Sequence, residues 1–417
     1  MNINLRTARK RAEMSQAESA AILGIPEAQV NYYEENPGTI PAELLVRWAQ
    51  SLGTDIASLI ANTIPPPAVD AGNPYVQMRY DLDLLKQYIN NAPTVGVGEF
   101  NIPNQPPTLD DVRKQLERYR QKPNLALVGK FDSGKSHLAN TLMGGKFLPS
   151  QYQPATRTIT FVRHIEDRPA WFGEQVCILA ESFWPRDNKE NQIFDLTLLD
   201  SQRWCSKHSI KAGTLKVLSQ YGVHNHLGKE ELDGHSAVVY IDSPLLKSCN
   251  IIDFPGYSDK SDQVSEDVKK ANSAVQIADL IVYTSPFNGF MSAEDFSRLG
   301  YLLRILPTPE NYWHNFPTLG NLFIVATHAA SHIRDTEIKS GLKIGSGRFY
   351  KQIELSILQK RSRNTNRSIT KEDLDNCFFA FWEETPQRWI SLKDKLVSIL
   401  GDQLPKARQH QIAQEID

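Results

Sequence analysis

Residues 125–136 read LALVGKFDSGKS, and this stretch decides the fold of most of the chain. Residues 125–128 form a short apolar run with the length of a buried strand. The next eight, Gly129, Lys130, Phe131, Asp132, Ser133, Gly134, Lys135 and Ser136, satisfy G-x-x-x-x-G-K-S. A helical stretch, HLANTLMGG, follows from His137. In this strand–loop–helix setting the backbone curls so that successive N–H groups point inward at phosphate oxygens. The helix adds the positive end of its dipole. Lys135 is placed to neutralise β- and γ-phosphate charge, and the Ser136 hydroxyl to ligate Mg²⁺. All eight loop residues and His137 behind them are the candidate nucleotide contacts.

Moving outward, residues 249–256 read CNIIDFPG, an apolar strand ending in D-x-x-G. Asp253 is placed to hold Mg²⁺ through water and the Gly256 N–H to touch a γ-phosphate, so loss of that phosphate releases the loop. Between the two motifs lies PATRTIT, residues 154–160, where Thr156 can close over Mg²⁺ and position water through its carbonyl. Strand and helix patterns alternate to about residue 400, which predicts a P-loop α/β domain with a mostly parallel sheet flanked by helices.

From residue 109 to about 400 the chain resembles the dynamin superfamily, in particular its bacterial members. The resemblance is carried by LALVGKFDSGKSHLANTLMGGKFLPS, by Pro154–Thr156, by AVVYIDSPLLKSCNIIDFPG, and by a long insertion over residues 166–236. It implies GTP hydrolysis with Mg²⁺ (ATP being the alternative), in which Lys135, Thr156 and Arg157 are the candidate catalytic residues. Ser136, Thr156 and Asp253 are the implied metal ligands, and Asp253 with Gly256 the second switch. Arg157 either neutralises transition-state charge or is a solvated loop arginine. The resemblance also implies pairing of two copies across their nucleotide faces when triphosphate is bound.

Three departures from the family pattern matter. Asp132 sets a carboxylate where serine is common. The base-reading N/T-K-x-D becomes Thr327-His328-Ala329-Ala330, in which Thr327 and His328 are further candidate nucleotide contacts but Ala330 cannot accept hydrogen bonds from guanine. The last recognition loop, FFAFWEE, places Trp382 where a small residue is usual, and that indole either stacks on a base or packs. About 35 residues follow that loop, too few for the family's stalk and membrane-binding tip, so membrane remodelling by this chain alone is not expected and a stalk-bearing protein partner is an option.

At the N-terminus, residues 15–34 read SQAESAAILGIPEAQVNYYE and resemble the helix-turn-helix of the phage-repressor and Xre class. Ala20, Leu23, Ile25 and Val30 would fill a small core. Glu27, Ala28, Gln29, Asn31 and Tyr32 would face the major groove and Gln16 a backbone phosphate. Residues 1–61 hold five basic and seven acidic side chains, a net of −2, whereas DNA readers usually show basic excess. Protein docking is therefore the alternative to DNA binding, and four cations within residues 6–11 keep DNA in view.

The divisions expected are a helix-turn-helix domain over residues 1–61, a Pro-rich linker with one short helix over 62–107, the dynamin-like domain over 108–400, and a helical tail over 401–417. The net charge of −2 on 417 residues points to no nucleic-acid or membrane surface for the chain as a whole. Four scattered cysteines, the lack of a secretory signal, and the lack of an apolar run near the ~20 residues that cross a bilayer predict a cytoplasmic chain without an integral membrane segment. Cys205-x-x-His208 and His224-x-His226 have metal-ligand residue types but match no standard finger spacing. The resulting expectation is a nucleotide-dependent switch that slowly hydrolyses GTP or another triphosphate, coupled to DNA or a protein partner. The alternatives are a non-hydrolysing nucleotide-sensing transcriptional regulator, or one subunit of a bacterial dynamin-like defence assembly.

Overall fold

The computed structural model describes residues 5, 6, 9, 12, 14–36, 39–52, 68–91, 117, 119–149, 158–189, 191–221, 235–256 and 266–416. They fall into two compact units, Met1–Pro67 and Ala68–Asp417.

In the first unit, helix α1 (Gln16–Leu23) begins at a capping box in which Ser15 and Glu18 satisfy each other's backbone N–H. Pro26 precedes α2 (Glu27–Glu35), and Pro41 precedes α3 (Ala42–Ser51). Leu5, Ala20, Leu23, Val30, Tyr33, Leu45 and Trp48 form the core, with Ile25 packed against it. Ser19, standing where a leucine is usual, is fully buried and its hydroxyl has no hydrogen-bond partner. Such a group costs about 1–3 kcal/mol, so the core tolerates a defect.

The second unit is built on a nine-stranded sheet in the order β4-β3-β5-β2-β6-β1-β7-β8-β9. The strands are β1 (Asn124–Gly129), β2 (Ile159–His164), β3 (Val176–Leu179), β4 (Ser209–Gly213), β5 (Ser236–Ile241), β6 (Asn250–Asp253), β7 (Leu280–Pro286), β8 (Leu322–Thr327) and β9 (Phe378–Ala380). Pairing from β6 through β9 is parallel, as the apolar runs predict. The sheet is mixed: β2 runs antiparallel to β6, and β3, within the insertion, runs antiparallel to both β4 and β5.

Side-chain alternation divides the core between the two faces. Ala126, Val128, Ile252, Ile281 and Ile324 face one layer, which includes Leu299 and Leu302 of a helix spanning Ala293–Ile305. Leu125, Leu127, Ile251, Val282 and Val325 face the other. That second layer receives Leu138 and Leu142, and also Trp389, Leu392 and Leu396 from the helix Pro386–Ser398.

The segment expected as linker contains a 16-residue helix, α4 (Val76–Asn91). Residues 68–91 belong to the second unit: the Val69 N–H donates to the Leu142 carbonyl at 2.8 Å, and Tyr75, Met78 and Leu82 pack with Tyr119. Leu404 and Ala407, in the expected tail, are likewise core residues. Among the described residues no helix is long and apolar enough to cross a membrane.

Candidate nucleotide site

β1 lies in the middle of the sheet between β6 and β7, and its C-terminal end delivers the glycine-rich loop. In open α/β sheets this is where ligands bind. Asp132 and Gly134 both have positive φ, 57° and 77°. Glycine adopts that region freely, and a short polar aspartate tolerates it. Asp132 is exposed. Gly134 is the N-cap of α5 (Lys135–Met143), and no side chain caps that helix, so its first N–H groups remain available to an anion.

Lys135 is buried, and its Nζ donates to the Gly129 carbonyl at 3.1 Å and the Lys130 carbonyl at 2.7 Å. Burial pushes the ammonium down to about 8, against the pull of the Asp253 and Asp132 carboxylates. Ser136 Oγ donates to Asp253 Oδ2 at 2.8 Å. Burial raises the Asp253 carboxyl to about 6, despite Lys135 and the Ser136 hydrogen bond. Its other oxygen, Oδ1, is buried with no hydrogen-bond partner. A buried carboxylate oxygen in need of a partner, beside a hydroxyl, is an all-oxygen donor pair that suits Mg²⁺.

Gly256 packs directly on the phosphate loop. A Cβ there would come within 2.5 Å of Phe131 Cα, so no larger residue fits without moving the loop. The loop is braced from its other side as well. Ser133 Oγ lies 2.7 Å from Thr284 Oγ1 at the end of β7, and Thr327 Oγ1 donates to the Ser133 carbonyl at 2.8 Å. Lys130 reaches Ser292 Oγ at 2.8 Å and Glu294.

Beyond β7 the loop after β8 carries Thr327 to Ala330. His328 has φ 55° and is exposed, while Ala329 is buried. Arg388 occupies the space behind this loop and donates to the carbonyls of Ala329 and Ile333 at 2.6 Å each and to that of Ala330. It also pairs with Asp335 at 2.9 Å. His137, on the first turn of α5, pairs with Glu383 at 3.1 Å and sets its ring edge on Phe381. That hydrogen bond, against burial, holds the Glu383 carboxyl below its usual range. Trp382 is half-buried, and its indole N–H is shielded without a partner.

The structure thus brings Gly129 through His137 together with Asp253, Gly256, Thr327 and His328. Thr156 and Arg157 lie outside the described residues, as do His224 and His226. Arg388 and the Glu383 pairing were missed, because nothing local links either residue to the motifs. Among the described residues, no group of three or more His, Cys, Asp or Glu side chains could hold a metal ion. His208 Nδ1 meets Ser182 Oγ at 2.9 Å, and the Cys205 thiol donates to the Leu199 carbonyl.

Residues 125–304 match the dynamin family, and residues 5–59 match a helix-turn-helix domain. Residues 125–304 are a dynamin-family domain. Two solved structures resemble the chain, each described as "an oligomerised bacterial dynamin pair" that provides a mechanism for long-range sensing and tethering of membranes. One shares 12% identity over 82% of this chain and 47% of its own, with a TM-score of 0.42. The other shares 12% over 100% of this chain and 72% of its own, with a TM-score of 0.43. The chain thus spans about half the length of the first, 47%. No curated protein matches.

In the helix-turn-helix unit, Glu27, Ala28, Gln29 and Tyr32 are exposed along α2, with Asn31 half-buried. The Gln16 amide donates to Asn31 Oδ1 at 3.2 Å and Glu34 Oε2 at 2.9 Å. Arg9 pairs with Glu34 at 2.5 Å and Arg6 at 3.2 Å. Burial alone would raise the Glu34 carboxyl, but hydrogen bonds from Arg9, Gln16 and Arg6 outweigh it and hold it below its usual range.

Proposed function

We propose that the dynamin-family domain binds a nucleoside triphosphate with Mg²⁺ and hydrolyses it slowly, as a switch whose output runs through the helix-turn-helix. One observation carries this reading. Lys135, Ser136 and Asp253 converge at the uncapped start of α5, where among the described residues the ammonium meets loop carbonyls and one buried carboxylate oxygen has no partner.

Each feature has a natural ligand. Lys135 exchanges the carbonyls of Gly129 and Lys130 for phosphate oxygens, which restores the charge that burial disfavours. Ser136 and Asp253 would hold Mg²⁺, which when bound would neutralise phosphate charge. Gly256, packed against Phe131, would offer its N–H to a γ-phosphate. Thr156, outside the described residues, would close over the metal, and Arg157 is the candidate for transition-state charge. GTP is the first candidate and ATP the second. Asp132 favours the non-hydrolysing alternative, since a carboxylate on the phosphate loop opposes charge build-up there.

On the output side, Glu27, Ala28, Gln29, Asn31 and Tyr32 are the residues for a major groove. Gln16 would keep its amide on Glu34 and offer only its oxygen, so its role as a phosphate contact requires a rearrangement. A single such helix offers few base contacts, so tight binding needs two copies on a two-fold site. Triphosphate-dependent pairing of two dynamin domains would supply them.

The test is a panel of GTP, ATP and their diphosphates, with Mg²⁺, for binding and turnover. DNA anisotropy with and without a non-hydrolysable triphosphate follows, alongside sedimentation. Binding with turnover supports the switch, and binding without it supports a nucleotide-sensing regulator. Linkage requires that triphosphate raise DNA affinity and DNA raise triphosphate affinity in return. Equal DNA affinity in both conditions would end the coupling, and no binding to any duplex would make the N-terminal unit a protein-docking domain.

A further inference from the structure

Strand order places the phosphate end of a bound nucleotide. The phosphate loop and Asp253 sit over β1 and β6, and the resemblance to dynamin-like domains implies that base and ribose extend toward the loops after β8 and β9. The loop after β8 carries no carboxylate facing guanine at position 330, and little in its own sequence fixes its shape. It holds a residue in left-handed backbone, His328, and two internal turns, from the Ala330 N–H to the His328 carbonyl at 2.8 Å and from the Ile333 N–H to the Ala330 carbonyl at 3.0 Å.

What fixes it comes from outside. Arg388, in the first turn of the helix Pro386–Ser398, has a side chain only 10% exposed. Its Nη1 donates to the carbonyls of Ala329 and Ala330, its Nη2 to that of Ile333 at 2.6 Å, and its Nε to Asp335 Oδ1 at 2.9 Å. Thr327 ties the start of the same loop to the Ser133 carbonyl, and thus to the phosphate loop. One planar fork therefore closes three carbonyls that would otherwise leave the loop free to fold elsewhere.

We propose that Arg388 is the positioning residue for the nucleobase half of the site: by clasping residues 329–335 it sets the part of the affinity that comes from base and ribose, and not the part that comes from phosphate. The proposal rests on the nucleotide reading above, and it replaces a missing base-reading side chain with a preformed backbone. The clasp also connects the base side to the core through neighbours on the same helix, since Trp389 and Leu392 are buried there.

The experiment compares the full chain with Arg388→Ala and Arg388→Lys, measuring by calorimetry the binding of Mg²⁺–GTP, Mg²⁺–ATP and Mg²⁺–tripolyphosphate, the last having no base or ribose. Arg388→Ala should weaken both nucleotides about tenfold, the scale of losing a charge-assisted contact to part-buried carbonyls. Tripolyphosphate affinity should stay within about twofold, because its contacts lie elsewhere. Arg388→Lys keeps the charge but not the fork, and should recover only part of the loss. If Arg388→Ala does not fold, Asp335→Asn releases one side of the clasp and should cost the nucleotides about two- to threefold, as a partly exposed pair does. Unchanged nucleotide affinity in folded variants overturns the proposal, and so does an equal fall for tripolyphosphate, which would mark a general structural role. A wild-type chain that binds tripolyphosphate but neither nucleotide would overturn the nucleotide reading itself, and the clasp with it.

Discussion

The two halves of the nucleotide site treat their polar groups in opposite ways. On the phosphate side key groups are left open among the described residues: the α5 start has no side-chain cap, Lys135 donates to loop carbonyls, and Asp253 keeps a buried oxygen without a partner. On the base side most are already paired, Arg388 with three carbonyls and Asp335, and His137 with Glu383, with the Trp382 indole N–H the exception. Open buried groups cost stability until a ligand arrives and so favour binding, whereas paired ones offer a shaped surface with little hydrogen-bond reading. On the proposed nucleotide reading, the difference means that the site would recognise the phosphate chain first and the base second.

The largest expected effect comes from breaking the open half. Lys135→Ala removes an ammonium from a partly desolvated loop, where charge-assisted contacts are worth roughly 1.5–3 kcal/mol, so triphosphate affinity should fall tenfold or more. Calorimetry on the folded variant checks this, and unchanged affinity would refute the phosphate-loop assignment. The next effect is the tenfold selective loss in Arg388→Ala, which sharpens the contrast by touching the paired half alone.

Much of the open half was legible in the sequence because its chemistry is contiguous. Gly129 to Ser136 lie on one loop, and flanking apolar periodicity announces the strand and helix that hold it. Asp253 was legible because a strand followed by D-x-x-G is also a local pattern. The paired half was not. Ala329 and Arg388 are 59 residues apart, and only the stacking of β8, β9 and the last helices brings them together. Burial hides other outcomes too. A prolines-and-polar segment reads as a linker until the Val69 N–H is found on the Leu142 carbonyl, and the reversal of β2 against β6 leaves no trace in hydrophobic spacing. Gln16 read as a phosphate contact from its motif position, but its amide faces the buried Glu34 carboxylate.

That carboxylate gives the smallest effect, and it extends the comparison to the N-terminal unit, where polar groups are also turned inward. Glu34 has a folded-state pKa below the ordinary 4.5. Its stabilisation is therefore fully present above that value and is lost as pH falls through the folded-state pKa. Protection factors of the α2 amides in the full chain should fall on acidification through that window, and Glu34→Gln should flatten the dependence while slightly lowering protection at neutral pH. A pH profile identical in both proteins would show that the Arg9–Glu34–Gln16 network adds nothing to the unit's stability.

The most direct test of the central claim is the ratio of Mg²⁺–GTP to Mg²⁺–ATP dissociation constants for the unmodified chain. A site that reads a base edge with buried hydrogen-bonding groups rejects the wrong base by about 10⁴–10⁵, whereas one without them discriminates weakly. With Ala330 in place of the reading carboxylate, the two constants should lie within about tenfold of each other. A preference for GTP of about a thousandfold would contradict the account, and would mean that a group now paired on the base side, Asp335 or Glu383, leaves its partner to read guanine.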